Sequence, residues 1–214
     1  MSERVELKVE RTARYFVRGN DRDPAEVWLL LHGYAQTADA FLDDFEALDD
    51  GTRLLVAPEG LSRFYRRGTH GEVGASWMTR VEREAEIEDT LVFLQAVHDR
   101  VLAGLRGEPE LHLLGFSQGG AAAARLAARG RCAPRRLVLW GSGLAPELVA
   151  EPGRLAELER VLVLGTRDPW IDEARADKER ARLEEAGLGF RTLRFEGGHE
   201  IDADALRRLA AGQA

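Results

Sequence analysis

A lone serine boxed by small residues stands at Gly115-Phe116-Ser117-Gln118-Gly119. This spacing matches the G-x-S-x-G turn, which holds a nucleophilic hydroxyl upright between a strand and a helix. A plain strand-to-helix turn would use the same residue types, so the partners decide. A serine hydroxyl is a weak nucleophile until a base removes its proton. Of the five histidines, His32 opens a turn, His70 lies in a weakly patterned segment, His98 falls in a helix and His112 in the strand leading to Ser117. His199 alone follows the last strand, in "EGGHEID". An acid must orient that imidazole. Asp168 ends the strand "RVLVLGTRD", whereas Asp172 is expected in the following helix and Glu196 inside or at the end of the last strand. Ser117, Asp168 and His199 therefore stand in the order nucleophile, acid, base. An acyl-transfer oxyanion needs two backbone N–H donors. Gln118, directly after the serine, and Tyr34, after "LLLHG", are the candidates; His32 braces that loop.

These residues need a scaffold that brings four loops to one edge. "EVWLLLHGY", "TRLLVAPEG", "ELHLLGFS", "RRLVLWGSGL" and "RVLVLGTRDPW" are continuous apolar runs, as expected of strands buried on both faces. Between them lie helical patterns: "TADAFLDDFEALDD", with Ala40, Phe41, Phe45 and Leu48 at helical spacing and Thr37 or Asp39 as cap; "EREAEIEDTLVFLQAVHDRVLAGL"; "QGGAAAARLAARG"; and a charged helix ending near Glu185. A short helix is expected at "PGRLAELE", a last strand at "GFRTLRFEGGH" and a closing helix at "DADALRRLAAG". The alternation over Val5–Gly19 predicts an antiparallel edge pair. Strand and helix in strict alternation predict an α/β fold, a mostly parallel sheet with helices on both faces in one domain, 1–214. Ligands of such sheets bind at the carboxyl ends of the strands.

The chain of 214 residues is 44% hydrophobic and 31% charged, and globular in composition. Its net charge of -7 argues against a nucleic-acid partner and a dock on anionic membrane. Lys8 and Lys178 are the only lysines, so arginine carries nearly all positive charge. Cys132 is the only cysteine, which excludes an internal disulfide and fits a reducing, cytoplasmic setting; it reads as a small filler residue. The charged start "MSERVELKVER" has no apolar region of a signal peptide, and no run approaches the roughly 18 apolar residues of a membrane span.

The motifs "LLLHGY", "APEG", "GASWM", "GFSQGGAAA", "GSG", "GTRDPW" and "GGHE" occur in the order of the carboxylesterase/phospholipase family of α/β hydrolases, which includes acyl-protein thioesterases. The chain resembles that family over nearly its whole length. The resemblance implies an α/β-hydrolase fold without a large cap domain, and serine esterase chemistry with no metal and no cofactor. It assigns the triad to Ser117, Asp168 and His199 and the oxyanion donors to Tyr34 and Gln118. The chain departs in two places. Ala35 stands where the thioesterase members carry glycine, and Leu61–Met78, with Arg63, Arg66 and Arg67, replaces their acyl-channel loop.

Phe64, Tyr65, Trp77, Met78, Leu144 and Trp170 leave the strand ends or flank the site residues, and are the candidate substrate contacts. They suggest a modest apolar cleft for short-to-medium acyl or aryl esters. The expected partner is a small-molecule ester, with a homodimer as the assembly considered. Rival readings are a thioesterase or lysophospholipase, a non-catalytic binding protein of the same fold, and dienelactone-hydrolase chemistry, which would want Cys at position 117.

Overall fold

The structure, a computed structural model, describes residues 3, 5–150 and 152–213. Met1, Ser2 and Arg4 of the charged N-terminal stretch lie outside them, as do Glu151 and Ala214. The apolar runs form the strands β2 (Glu26–Leu31), β3 (Arg53–Pro58), β6 (Glu110–Phe116), β7 (Arg136–Trp140) and β8 (Glu159–Gly165). With β1 (Tyr15–Gly19) and β9 (Arg191–Phe195) they make a seven-stranded sheet in the order β1-β3-β2-β6-β7-β8-β9. Every pairing is parallel except β1 with β3.

Alternation inside each run splits the core into two layers. Leu29, Leu31, Leu113, Leu139 and Leu162 point to one face. That face is covered by α2 (Arg83–Gly104), α3 (Gln118–Arg129), α4 (Glu147–Ala150) and α5 (Glu173–Glu185). Trp28, Leu30, Phe116, Trp140 and Val163 point to the other, under α1 (Ala38–Asp43) and α6 (Ala203–Ala210). A continuous apolar strand thus reads as alternating once each face has its own helices. Cys132 is buried in the first layer, and burial pushes its thiol up to about 11, so it packs and does not react.

Three expectations are corrected. The single helix drawn over 37–50 is α1 followed by a 3-10 turn, Glu46–Leu48. The break rotates Phe45 and Leu48 into the layer already occupied by Phe41, while Ala40 faces solvent. The first strand of the supposed N-terminal pair is missing: residues 5–14 are irregular, with Val5, Leu7 and Val9 exposed. Alternation defines a face but supplies no partner. Conversely, the weakly patterned segment carries a separate antiparallel hairpin, β4 (Ser62–Tyr65) and β5 (Val73–Ser76).

Candidate active site

Between β6 and α3 a single residue reverses the chain. Ser117 takes φ 51° and ψ -118°, a backbone region that costs a side-chain-bearing residue about 1–3 kcal/mol. Its neighbours hold it there: its N–H donates to Trp140 O at 2.9 Å and its carbonyl accepts Gly120 N–H at 3.0 Å. The flanking glycines are required by close approach. A Cβ on Gly115 would lie 2.3 Å from Gly119 O, and one on Gly119 would lie 2.1 Å from Leu31 O. The absent side chains let α3 start directly over the end of β2.

The turns after β8 and β9 are laced together by Thr166 N–H on Phe195 O (2.9 Å) and Arg167 N–H on Gly197 O (2.8 Å). This lacing brings Asp168 to His199. The Asp168 side chain is 1% exposed, and its Oδ1 accepts the N–H groups of Trp170 (2.8 Å) and Ile171 (3.2 Å). Oδ2 faces His199 Nδ1 at 2.7 Å. An ionised carboxylate only accepts, so Nδ1 carries the proton and Nε2 keeps its lone pair. The imidazole lies against the Phe116 ring, centroids 4.7 Å apart, beside the residue that precedes Ser117. The alternative acids are occupied elsewhere: Asp172 caps α5 by accepting Arg175 N–H at 2.8 Å, and Glu196 bonds Thr166 and Arg167 on the surface.

The loop after β2 faces the start of α3. Gly33 N–H donates to Gln36 Oε1 at 2.7 Å and Ala35 N–H to Ala75 O at 2.9 Å, which leaves Tyr34 between two engaged neighbours. Ala35 adopts φ 64°, the left-handed region that glycine enters freely. That conformation gives a physical reason for the glycine of the resembling family. Gln118 is the first residue of α3, where a backbone N–H has no partner within the helix. Its carboxamide, which sequence reasoning left unassigned, grips the end of the β4–β5 hairpin. Oε1 accepts Trp77 N–H (3.1 Å) and the Ser76 hydroxyl (3.2 Å), and Nε2 donates to Met78 O (2.8 Å). His32 is fully buried, its Nε2 accepting Gly60 N–H at 3.0 Å and its Nδ1 meeting Gly33 O at 2.8 Å. Burial holds its basicity below the ordinary histidine range.

Next to Asp168 a cavity of about 600 Å³ opens between α5, the end of β8 and residues 142–146. Leu144, Leu162, Leu164, Ile171 and Trp170 supply apolar wall. Leu144 and Trp170 were foreseen as contacts and lie in it. The other four nominees lie elsewhere. Trp77 is 3% exposed, donates its indole N–H to His32 O at 2.7 Å and packs in the core. Met78 joins it around a void of about 10 Å³ under α2, its sulfur 3.5 Å from Arg125 Nη1. Phe64 stacks on the exposed Tyr34 ring at 5.3 Å, and Tyr65 is exposed beside it. Arg63 and Arg66 are paired with Glu59 and Glu72. Among the described residues, no helix is long and apolar enough to cross a membrane.

No protein-family model matches the chain, and no curated protein does. Solved structures do match. Zea mays acyl-protein thioesterase 2 superposes with a TM-score of 0.65 at 16% identity, over 95% of this chain and 100% of that one. Esterase PE8 gives 0.70 at 20% identity, over 94% and 98%, and a carboxylesterase from Mesorhizobium loti gives 0.68 at 18%, over 94% and 95%. With the sheet order above, these likenesses show that the chain has the α/β-hydrolase fold.

Proposed function

We propose that the chain is a serine carboxylesterase that hydrolyses short-to-medium acyl or aryl esters through an acyl-enzyme, with Ser117, His199 and Asp168 as its triad. The observation that carries this reading is the 2.7 Å contact of His199 Nδ1 with the buried Asp168, on turns adjoining a serine held at positive φ. Asp168 fixes the ring so that Nε2 is the nitrogen left for the Ser117 hydroxyl. His199 takes the hydroxyl proton as Oγ bonds to the ester carbonyl carbon, and the carbonyl oxygen becomes an oxyanion. The backbone N–H groups of Tyr34 and Gln118 donate to it, and donors preorganised in this way are worth about 3–4 kcal/mol each when removed. Collapse breaks the ester C–O bond, and the leaving alcohol receives its proton from His199. Water, deprotonated by the same imidazole, then attacks the acyl-enzyme; the acid leaves and Ser117 regains its proton.

The named neighbours, two esterases and an acyl-protein thioesterase, support ester chemistry on this fold. The apolar wall of the cavity supports an acyl or aryl group as the part bound there.

A fluorophosphonate probe, which reacts with activated serines, tests the reading. The folded protein is expected to be labelled and to hydrolyse p-nitrophenyl acetate, and Ser117→Ala to lose both. Labelling or turnover that survives Ser117→Ala would overturn the reading. A series of p-nitrophenyl esters then measures acyl length, with activity expected to peak at short to medium chains and to fall for palmitate.

A further inference from the structure

The charged groups of the 600 Å³ cavity are bonded unequally. Glu179 receives Arg182 on both carboxylate oxygens, at 2.8 and 2.6 Å, and accepts Leu144 N–H at 2.9 Å. Arg182 also donates to Leu144 O at 2.9 Å. Their charges cancel, and the pair holds the loop after β7 against α5. The guanidinium of Arg175, in the first turn of α5, makes one bond, from Nη1 to the Trp170 carbonyl at 2.8 Å. Among the described residues no carboxylate oxygen lies within 4.0 Å of its guanidinium nitrogens. The cavity therefore has apolar wall and one uncompensated positive charge at its exposed side.

Two adjacent residues join this space to Ser117. Gly141 packs against His199 and Asp168, and Ser142, which lines the cavity, stands against Gly120 in the first turn of α3. The cavity also lies on a definite side of the sheet. Leu144 and Leu162 belong to the layer of α3 and α5, whereas Phe116, on which His199 rests, belongs to the layer of α1 and α6. A leaving alcohol must sit beside His199 to receive its proton. The space on the opposite layer is left for the part of the ester that stays on the serine.

Resting on the serine-esterase reading, we propose that this cavity takes the acyl chain and that Arg175 selects chains ending in a carboxylate, so that the preferred substrates are hemiesters of dicarboxylic acids. The apolar wall receives the methylene segment, which no polar contact would satisfy. The guanidinium meets the terminal carboxylate, a geometry that arginine matches with two parallel N–H bonds. A charged acyl end without such a partner would be rejected by the same apolar wall.

The test compares p-nitrophenyl hydrogen glutarate with p-nitrophenyl valerate, which match in chain length and leaving group. The wild-type ratio of kcat/KM is expected to favour the glutarate by about tenfold or more, the scale of one hydrogen bond to a charged group. Arg175→Gln is expected to remove that preference, Arg175→Lys to restore part of it, and added salt to weaken it in the wild type. A wild-type ratio near one, or a preference that Arg175→Gln leaves intact, overturns the inference. If either occurs while Ser117-dependent hydrolysis of p-nitrophenyl acetate persists, the esterase reading stands and only the selectivity falls. Absence of any Ser117-dependent turnover removes both.

Discussion

Gly141 stands so close to His199 that a methyl group on it would lie 2.9 Å from both Cε1 and Nδ1 of the imidazole. Its φ of 56° is also in the left-handed region. Gly141→Ala must therefore displace the ring or strain the turn. Misplacing a catalytic group by about 1 Å costs on the order of 100-fold, while the backbone strain is about 1–2 kcal/mol. Kinetics on p-nitrophenyl acetate should show kcat/KM down roughly 100-fold, with a melting temperature only a few degrees lower. Near-native activity in this variant would mean that the imidazole is not held where the mechanism needs it.

Beside the oxyanion role proposed for its backbone, Gln118 holds the hairpin through its side chain. Gln118→Leu leaves the buried Trp77 N–H without its acceptor and Met78 O without its donor, at a cost of about 1–3 kcal/mol. Amide exchange over residues 73–78 should quicken and ester turnover should fall with it. Unchanged exchange in that segment would show that the carboxamide does not hold the hairpin.

At the opposite end of the sheet, His112 is 2% exposed and stacked on Trp28 at 4.7 Å, with neither ring nitrogen hydrogen-bonded among the described residues. Burial lowers its pKa to about 4, helped by Arg136 and Arg135 and opposed by Glu26 and Glu110. The unfolded chain takes up this proton near pH 6.5, before the folded chain does. The contribution of the neutral ring to stability is thus complete above about pH 6.5 and is lost as pH falls toward 4, roughly 3 kcal/mol in all. Buried His32 shifts in the same direction and adds to the same slope. Glu26, whose pKa is lowered, loses its contribution only at more acid pH. Urea unfolding at pH 7 and pH 4.5 should show a marked loss in the wild type and a smaller one in His112→Phe. Equal losses would remove His112 from the account.

The buried strands were legible because a run such as "EVWLLL" is apolar on both faces and has no other stable place. The meeting of Asp168 with His199 was legible because each follows the carboxyl end of a strand and only one histidine follows the last strand. The hairpin was hidden because "SRFY" and "VGAS" are four residues each, too short for periodicity to register. The cavity was hidden more deeply. Which of the many charges on α5 face inward depends on how that helix lies on β8, so Arg175 and Glu179 are indistinguishable in sequence from Arg180 and Glu184. Trp77 and Met78 misled for the converse reason: large side chains in a loop segment point to a pocket only if the loop does not fold back into the core.

The hairpin fastens two distant pieces of chain at once. Its strands bond to each other and stand apart from the seven-stranded sheet. Ala75 clasps the loop after β2 by exchanging hydrogen bonds with Ala35 and Gln36, and Ser76 to Met78 clasp Gln118. A two-stranded ribbon is marginal by itself in water, so its release costs less than melting the sheet. Both proposed oxyanion donors depend on this one latch. The hairpin is then expected to open before the seven-stranded sheet melts, and the proposed ester turnover to be lost on heating while the core is still folded.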